Sequence, residues 1–242
     1  MEDACRDLCV DAYPLGEQYD PDNLPRLADP ATATAEELAL AWRKNWQPGQ
    51  EIRIRFLDGD HRLHRRVVDY ANAWLEHANL AFVFGNRAKP EIRITFRGRD
   101  YWSQVGTDAL RVGYADPTMQ LGGLDADGPV TITRRVVLHE FGHAIGCIHE
   151  QASPAAAIPW DAEKVYRYYR DWQGWDAEKT YHNVLLRYSA RDAVFSGFDP
   201  DSIMQYPVPD FLTRGDFSIG WNNDLSAGDK SFIARAYPPH HP

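Results

Sequence analysis

Two kinds of hydrophobic periodicity alternate in the first half of the chain. In EIRIRFLDGD, apolar and polar positions alternate before an Asp-Gly turn, which predicts a strand from Glu51 to Leu57. HRLHRRVVDYANAWLEHAN places its apolar residues at helical spacing, which predicts a helix with one buried face and a solvated basic start. LAFVFG and EIRITFRG predict two more strands. The alternation of these elements indicates an α+β subdomain.

The pattern then predicts the last strands of a sheet and a different second half. VGTDALRVGYADPTMQLGGLD supplies these strands, with an edge strand expected near Met119, Gln120 and Leu121. Beyond residue 149 the chain is aromatic and irregular. There Asp161 and Asp176 are expected to cap helices that extend to Trp172 and to about residue 187. The aromatic residues of these helices fit a second core better than a ligand cage, although both readings stay open.

Length and composition are consistent with one folded domain. The chain has 242 residues and is 44% hydrophobic and 12% aromatic, enough for a full core, with room for two subdomains separated by a cleft. A formal charge of −9 argues against a nucleic-acid partner, because duplex binding needs clustered basic residues. No apolar run approaches the roughly 18 residues of a membrane span.

Residues 1–45 differ from the rest of the chain. They are rich in Pro, Asp and Ala and predict an extended arm with one short helix, residues 34–46. They begin with acidic residues and lack the apolar core of a secretory signal, so the sequence leaves the cellular location undetermined. Three cysteines are too few for a disulfide scaffold. Cys147 reads as a buried apolar residue.

The run VLHEFGHAIGCIHEQ carries the strongest chemical signal. His139 and His143 are four residues apart, so on a helix both imidazoles face the same side and can bind one Zn²⁺. Glu140 lies beside them, where its carboxylate can hold and deprotonate water without being a ligand. Gly146 can adopt a positive φ and end the helix, which would bring His149 back to the metal.

A closed structural zinc site is the alternative reading of this motif. Such sites favour four protein ligands, usually thiolates, whereas three histidines leave an open coordination position for water or substrate. A thiolate from Cys5 or Cys9 could fill that position and keep the protein latent. The sequence around these two cysteines does not resemble that of known cysteine-switch peptidases.

A second motif, FDPDSIMQYPVP, lies downstream, and its Met204 is 55 residues beyond His149. Together with the histidine motif it resembles astacin-like zinc metalloendopeptidases of the bacterial and fungal type, which belong to the metzincins. The resemblance implies that Met204 is the Met-turn residue, a hydrophobic floor beneath the zinc ligands. It also implies that Tyr206 is a mobile fifth zinc ligand that swings away to stabilise the reaction intermediate.

The resemblance extends from about residue 46 to 238. Glu150 follows the third histidine as in astacins, where this glutamate makes a water-linked contact to the mature N-terminus. LSAGDKSFIARAYP resembles their C-terminal helix. The implied fold is α+β and metzincin-like, with an N-terminal arm at 1–45 as a candidate regulatory segment and a catalytic domain at 46–242. Its upper subdomain would span 46–146 and its irregular lower subdomain 147–242.

The resemblance also implies a function and a substrate. Such enzymes hydrolyse internal peptide bonds of proteins: one catalytic Zn²⁺ lowers the pKa of a water molecule that Glu140 deprotonates, and Tyr206 helps to stabilise the oxyanion. The substrate strand would pair with the predicted edge strand 119–121. We expect a monomer, and secretion is usual for the family. A latent or non-catalytic zinc-stabilised peptide-binding module is the alternative from another functional class.

Some features depart from the animal members of the family. The R-P-D-R-D run that follows H-E-Q in those enzymes is replaced by ASPAAAIPW, and their four disulfide cysteines are missing. Substrate preference is therefore not carried over. Arg214 is a candidate for selecting an acidic substrate side chain, with a surface role equally compatible. Asp125 and Asp127 lie in a Gly-rich turn that fits an ordinary turn better than a calcium loop.

Overall fold

The computed structural model describes residues 44–153, 155–187 and 197–239. Within these ranges five strands form one mixed sheet in the spatial order β2-β1-β3-β5-β4. In chain order the strands are β1 Glu51–Phe56, β2 Ala81–Phe84, β3 Ile92–Thr95, β4 Tyr101–Ser103 and β5 Met119–Leu121. All neighbouring pairs are parallel except β4 and β5, which are antiparallel. The predicted N-terminal arm lies almost entirely outside the described residues.

The described ranges also contain five α-helices and several shorter turns. The α-helices are α1 His61–Ala71, α2 Val130–Ala144, α3 Ala162–Gln173, α4 Ala177–Thr180 and α5 Ala227–Ala236. The 3₁₀ turns are Asn72–Glu76, Gly106–Arg111, Glu150–Ala152 and Asp210–Leu212. None of the helices in these ranges is long and apolar enough to cross a membrane.

The main core joins the sheet to α1 and α2. As predicted, α1 buries one face through Leu63, Val67 and Ala71, and the Asp60 side chain caps it by accepting from the Arg62 N–H at 2.6 Å. On α2, Phe141 is fully buried and its ring lies 5.3 Å from that of Phe82 on the sheet. Burying a side chain of this size contributes about 1.5–3 kcal/mol, so this contact stabilises the packing of α2 on the sheet.

The aromatic residues of the second half pack into a core of their own, so the structure favours a packing role for them over a ligand cage. Its buried members are Val165, Tyr169, Trp175, Val184, Tyr206 and Leu212. The caps predicted at Asp161 and Asp176 are confirmed, since each carboxylate accepts from a backbone N–H three residues later. The second helix is shorter than predicted. The α-helix ends at Thr180, and one π-helical turn, Tyr181–Leu185, follows it.

The predicted edge strand is wrong. Met119–Leu121, β5, has partners on both sides, because Met119 is opposite Ile94 of β3 and opposite Ser103 of β4. The chain returns antiparallel after β3, and β4 covers the outer side of β5. Among the described strands, the edge next to α2 is therefore β4, Tyr101–Ser103.

Candidate active site

Helix α2 presents the first two histidines of the motif on one buried face. The rings of His139 and His143 have centroids 4.9 Å apart, and both side chains are buried. The helix ends at Ala144, and Gly146 has a φ of +102°, a backbone conformation that residues other than glycine rarely adopt. Backbone N–H groups of residues 146 and 147 donate to carbonyls of the last turn. The chain thereby reverses, as predicted for Gly146.

The reversal brings His149 back to the other two histidines. Its ring centroid lies 4.5 Å from that of His143 and 5.2 Å from that of His139. One potential ligand atom from each histidine lies within 4.8 Å of the others, and this is the metal-ligand cluster found among the described residues. The three histidines of the H-E-x-x-H-x-x-G-x-x-H motif are thus brought to one point.

Two backbone carbonyls orient the imidazoles. The Nδ1–H of His139 donates to the carbonyl oxygen of Ile203 at 2.7 Å, and the Nδ1–H of His143 donates to that of Cys147 at 2.9 Å. A carbonyl can only accept, so in the neutral rings Nε2 carries the lone pair. Hydrogen-bonded outer partners of this kind are usual for metal-binding histidines.

The three Nε2 atoms fit a divalent metal ion. Those of His143 and His149 are 3.1 Å apart, close enough for one cation to accept a lone pair from each ring. The Nε2 of His139 is buried and has no hydrogen-bond partner. Burial, followed by the nearby His149, lowers the pKa of His139 to about 3, so this ring stays neutral and able to bind metal at ordinary pH.

Residues from both ends of the described chain hold the hinge after α2. The indole Nε1–H of Trp46 donates to the Ala144 carbonyl at 2.8 Å, and the Tyr237 hydroxyl donates to the Ile145 carbonyl at 2.6 Å. The Trp46 backbone N–H in turn donates to the Tyr237 oxygen. The last carbonyls of a helix lack intrahelical partners, so these contacts satisfy them and fix the direction in which the chain leaves α2.

The segment around Met204 packs directly against the histidine helix. Met204 is buried, and its backbone carbonyl accepts from the N–H of Glu150 at 3.0 Å. The N–H of Tyr206 donates to the side-chain oxygen of Gln151 at 3.2 Å. The structure therefore ties this segment to the residues that follow the third histidine.

Tyr206 and Glu140 line one cleft beside the histidines. The Tyr206 ring centroid lies 4.4 Å from that of His149 and 6.1 Å from that of His139. Glu140 is only 1% exposed although it carries a carboxylate. The lining of this cleft also includes Tyr101 of β4.

Comparison with known proteins identifies the family. No family model and no curated protein sequence matches the chain. Among solved structures, one of myroilysin is 38% identical, covers 83% of this chain and 98% of its own, and superposes with a TM-score of 0.80. The chain belongs to the astacin family of zinc metalloproteases. A second myroilysin structure is 34% identical, with coverage of 97% and 92% and a TM-score of 0.69.

A more distant astacin shares the fold. High choriolytic enzyme 1, a hatching enzyme zinc-protease from the medaka fish Oryzias latipes, is 16% identical over 80% of this chain and 94% of its own, with a TM-score of 0.56. Membership of the astacin family and the buried triad His139, His143 and His149 establish one zinc site and metalloprotease function for this chain. The metzincin-type α+β fold is also confirmed.

Glu150, expected from other astacins to contact the N-terminus, has a different described partner. Its carboxylate accepts from the Asp199 backbone N–H at 2.9 Å. Burial, followed by the proximity of Asp199 and Asp229, raises the pKa of Glu150 to about 7. The mature N-terminus, Cys5 and Cys9 lie outside the described residues, so the contact predicted from the astacin family and the cysteine latch both stay predictions.

Arg135 is a cleft residue that the sequence reasoning missed. It lies one helical turn before His139, and its guanidinium stacks on the Trp221 ring at 3.8 Å. Four-residue spacing from a ligand on the same helix was the signal that could have found it. Arg214, the candidate named from the sequence, is exposed and does not belong to the lining of this cleft.

Two other sequence candidates are accounted for by ordinary contacts. The Asp127 carboxylate pairs with the guanidinium of Arg62, and the Asp125 side chain accepts from the Asp127 N–H, which is a turn and not an array of inward-facing carboxylates. Cys147 is buried as predicted, and burial raises the pKa of its thiol.

Proposed function

We propose that this protein is an endopeptidase in which Glu140 is the general base and Tyr206 is the oxyanion donor. The observation that carries the proposal is the placement of Glu140 in the cleft next to His139 but outside the histidine triad. A buried carboxylate is costly, and a closed structural site has no use for one beside the metal. Its position suits a group that handles a proton.

The residues divide the chemistry among themselves. His139, His143 and His149 would hold Zn²⁺, which, when bound, acts as a Lewis acid and lowers the pKa of water toward about 7. Glu140 accepts the proton of the attacking water and later delivers it to the leaving amine. The Tyr206 hydroxyl donates a hydrogen bond to the carbonyl oxygen as negative charge develops on it.

Strand β4 is the proposed binding edge for the substrate backbone, in place of the edge predicted at 119–121. One side of β4 is paired with β5, and Tyr101 at its start also lines the catalytic cleft. An extended peptide can add to such an edge through main-chain hydrogen bonds. Because this mode of binding needs no chain terminus, it favours cleavage at internal bonds.

The test is hydrolysis of casein by the zinc-loaded, full-length protein, with fragments mapped by mass spectrometry. We expect internal cleavage, complete loss of activity with a chelator, and a fall of roughly 10²–10⁴-fold in Glu140→Gln. Glu140→Gln should keep its zinc and its folded stability. A wild-type protein with one bound zinc and no cleavage would instead support the latent or peptide-binding module.

A further inference from the structure

We propose that Asp229, on the C-terminal helix α5, is a positioning residue for the first zinc ligand, His139. It lies 90 positions beyond His139 in the chain and acts through the backbone of Ile203. The inference depends on the zinc site and is independent of whether Glu140 or Tyr206 has the role proposed above. It assigns to α5 a function in the metal centre.

A short series of hydrogen bonds connects the two residues. One carboxylate oxygen of Asp229 accepts from the Ile203 N–H at 2.8 Å, and the other accepts from the Ser202 hydroxyl at 2.7 Å. The Ser202 oxygen accepts in turn from the Met204 N–H at 3.0 Å. The Ile203 carbonyl is the group that accepts from His139 Nδ1 at 2.7 Å. Asp229 therefore fixes three consecutive residues whose middle carbonyl orients the ligand.

Capping of α5 alone does not explain this arrangement. Ser226 and Asp229 form a capping box, in which the Asp229 carboxylate accepts from the Ser226 N–H and the Ser226 hydroxyl accepts from the Asp229 N–H. A capping box needs only these two reciprocal bonds. Here the same carboxylate is buried and makes two further bonds to residues 202 and 203.

The burial of Asp229 carries a cost. Burial raises the pKa of its carboxyl although Ser202 and the N–H groups of Ile203 and Ser226 act in the opposite direction. Charge-assisted hydrogen bonds offset part of this cost. The two carboxylate oxygens accept from the Ser202 hydroxyl and from two backbone N–H groups at once, an arrangement that the single amide oxygen of asparagine cannot provide.

Asp229 is also the side chain through which this orientation can be tested. The Ile203 carbonyl is backbone and cannot be removed by substitution. His143 is oriented separately, by the carbonyl of Cys147 in the hinge. Loss of the Asp229 carboxylate should consequently loosen one ligand out of three, which weakens the metal site without abolishing it.

The experiment compares zinc release from full-length Asp229→Asn and Ser226→Ala. Both substitutions damage the capping box, but Ser226→Ala leaves the Asp229 carboxylate facing Ile203. We expect transfer of zinc to a chelator to be about tenfold faster in Asp229→Asn, the range typical for outer partners of metal ligands, and within about twofold of wild type in Ser226→Ala. The visible spectrum of the cobalt-substituted protein should change in the first variant only.

Two results would overturn the proposal. One is zinc release from Asp229→Asn at the wild-type rate, and the other is an equal acceleration in Ser226→Ala, which would reduce Asp229 to a helix cap. If Asp229→Asn does not fold, Ser202→Ala replaces it, because this change removes the bonds to Asp229 and Met204 alone. The Asp229–Ile203 bond remains in this variant, so release is expected to be only about threefold faster, but still faster than in Ser226→Ala. A rate equal to that of Ser226→Ala refutes the proposal. Failure of Glu140→Gln to lose activity would leave these outcomes unaffected.

Discussion

Gly142 and Met204 are in such close contact that a Cβ atom at position 142 would overlap the methionine sulfur. Gly142 lies between His139 and His143 on α2, so the loop that carries Met204 touches the helix at the level of the ligands. The indole of Trp74 borders the same space, 3.1 Å from that Cβ position. The glycine of H-E-x-x-H in this chain is therefore a packing residue, and its lack of a side chain admits Met204.

Gly142→Ala should destabilise the protein. Overpacking of a dense core costs about 1–3 kcal/mol, which outweighs the gain of about 1 kcal/mol in helix propensity on replacing glycine by alanine. Denaturant unfolding of the zinc-loaded protein measures the difference. Gly220→Ala is the control, since no atom lies within 4 Å of a Cβ there. An equal or greater stability of Gly142→Ala would contradict the packing role.

Tyr206→Phe should lower kcat by roughly 10²–10³-fold, the range for loss of one oxyanion donor, with little change in KM. The ring would still pack beside His149, so zinc content should stay at one per chain. Steady-state kinetics on a fluorogenic peptide, together with metal analysis, test this. Tyr181→Phe, at an exposed tyrosine of the π-helical turn outside this core, should have wild-type kinetics. A Tyr206→Phe variant with wild-type kcat would remove Tyr206 from the mechanism.

The metal-free protein should lose stability as the pH falls below about 6.5. Burial lowers the pKa of His139 to about 3, so in this window the unfolded chain binds a proton at His139 and the folded chain does not. The free energy of unfolding then decreases with falling pH, by up to about 1.4 kcal/mol per pH unit from this residue.

Urea unfolding of the chelated protein at several pH values between about 4 and 7.5 measures this slope. His139→Gln removes the titrating group and should give a shallower dependence on pH. If the variant has the same slope as wild type, other groups account for the acid sensitivity.

Arg135→Gln should change which peptides are cleaved. The guanidinium is held over Trp221 at the wall of the cleft, where it can pair with a carboxylate of a substrate residue next to the scissile bond. For peptide pairs that differ only by Asp or Asn at that residue, the ratio of kcat/KM values should fall roughly tenfold, the loss expected for one charge-assisted hydrogen bond.

Arg214→Gln is the matched control for this experiment. Arg214 is exposed and lies outside the cleft lining, so its removal should leave the Asp-to-Asn ratio unchanged. A shift in this variant and not in Arg135→Gln would restore the assignment suggested by the sequence. The side of the scissile bond on which the ratio changes locates the Arg135 pocket.

The sequence predicted the parts of this site that depend on local geometry. Helical spacing places His139 and His143 together, and a glycine at residue 146 allows the reversal that returns His149. The edge strand was missed because β4 has only three residues, too few to show an alternating pattern, and its pairing with β5 bridges a loop of 15 residues between Ser103 and Met119. The bonds of Asp229 to residues 202 and 203 were equally hidden, since contacts between distant segments leave no periodicity.

The hydrogen bonds that hold the hinge after α2 form late in synthesis, because one of their donors lies far along the chain. Ile145 obtains its hydrogen bond from Tyr237, a residue that lies 92 positions further along the chain. During translation, Tyr237 leaves the ribosome long after the three histidines. A nascent chain therefore cannot complete the hydrogen bonds that fix the exit of the chain from α2 until the 92 residues beyond Ile145 have been synthesised.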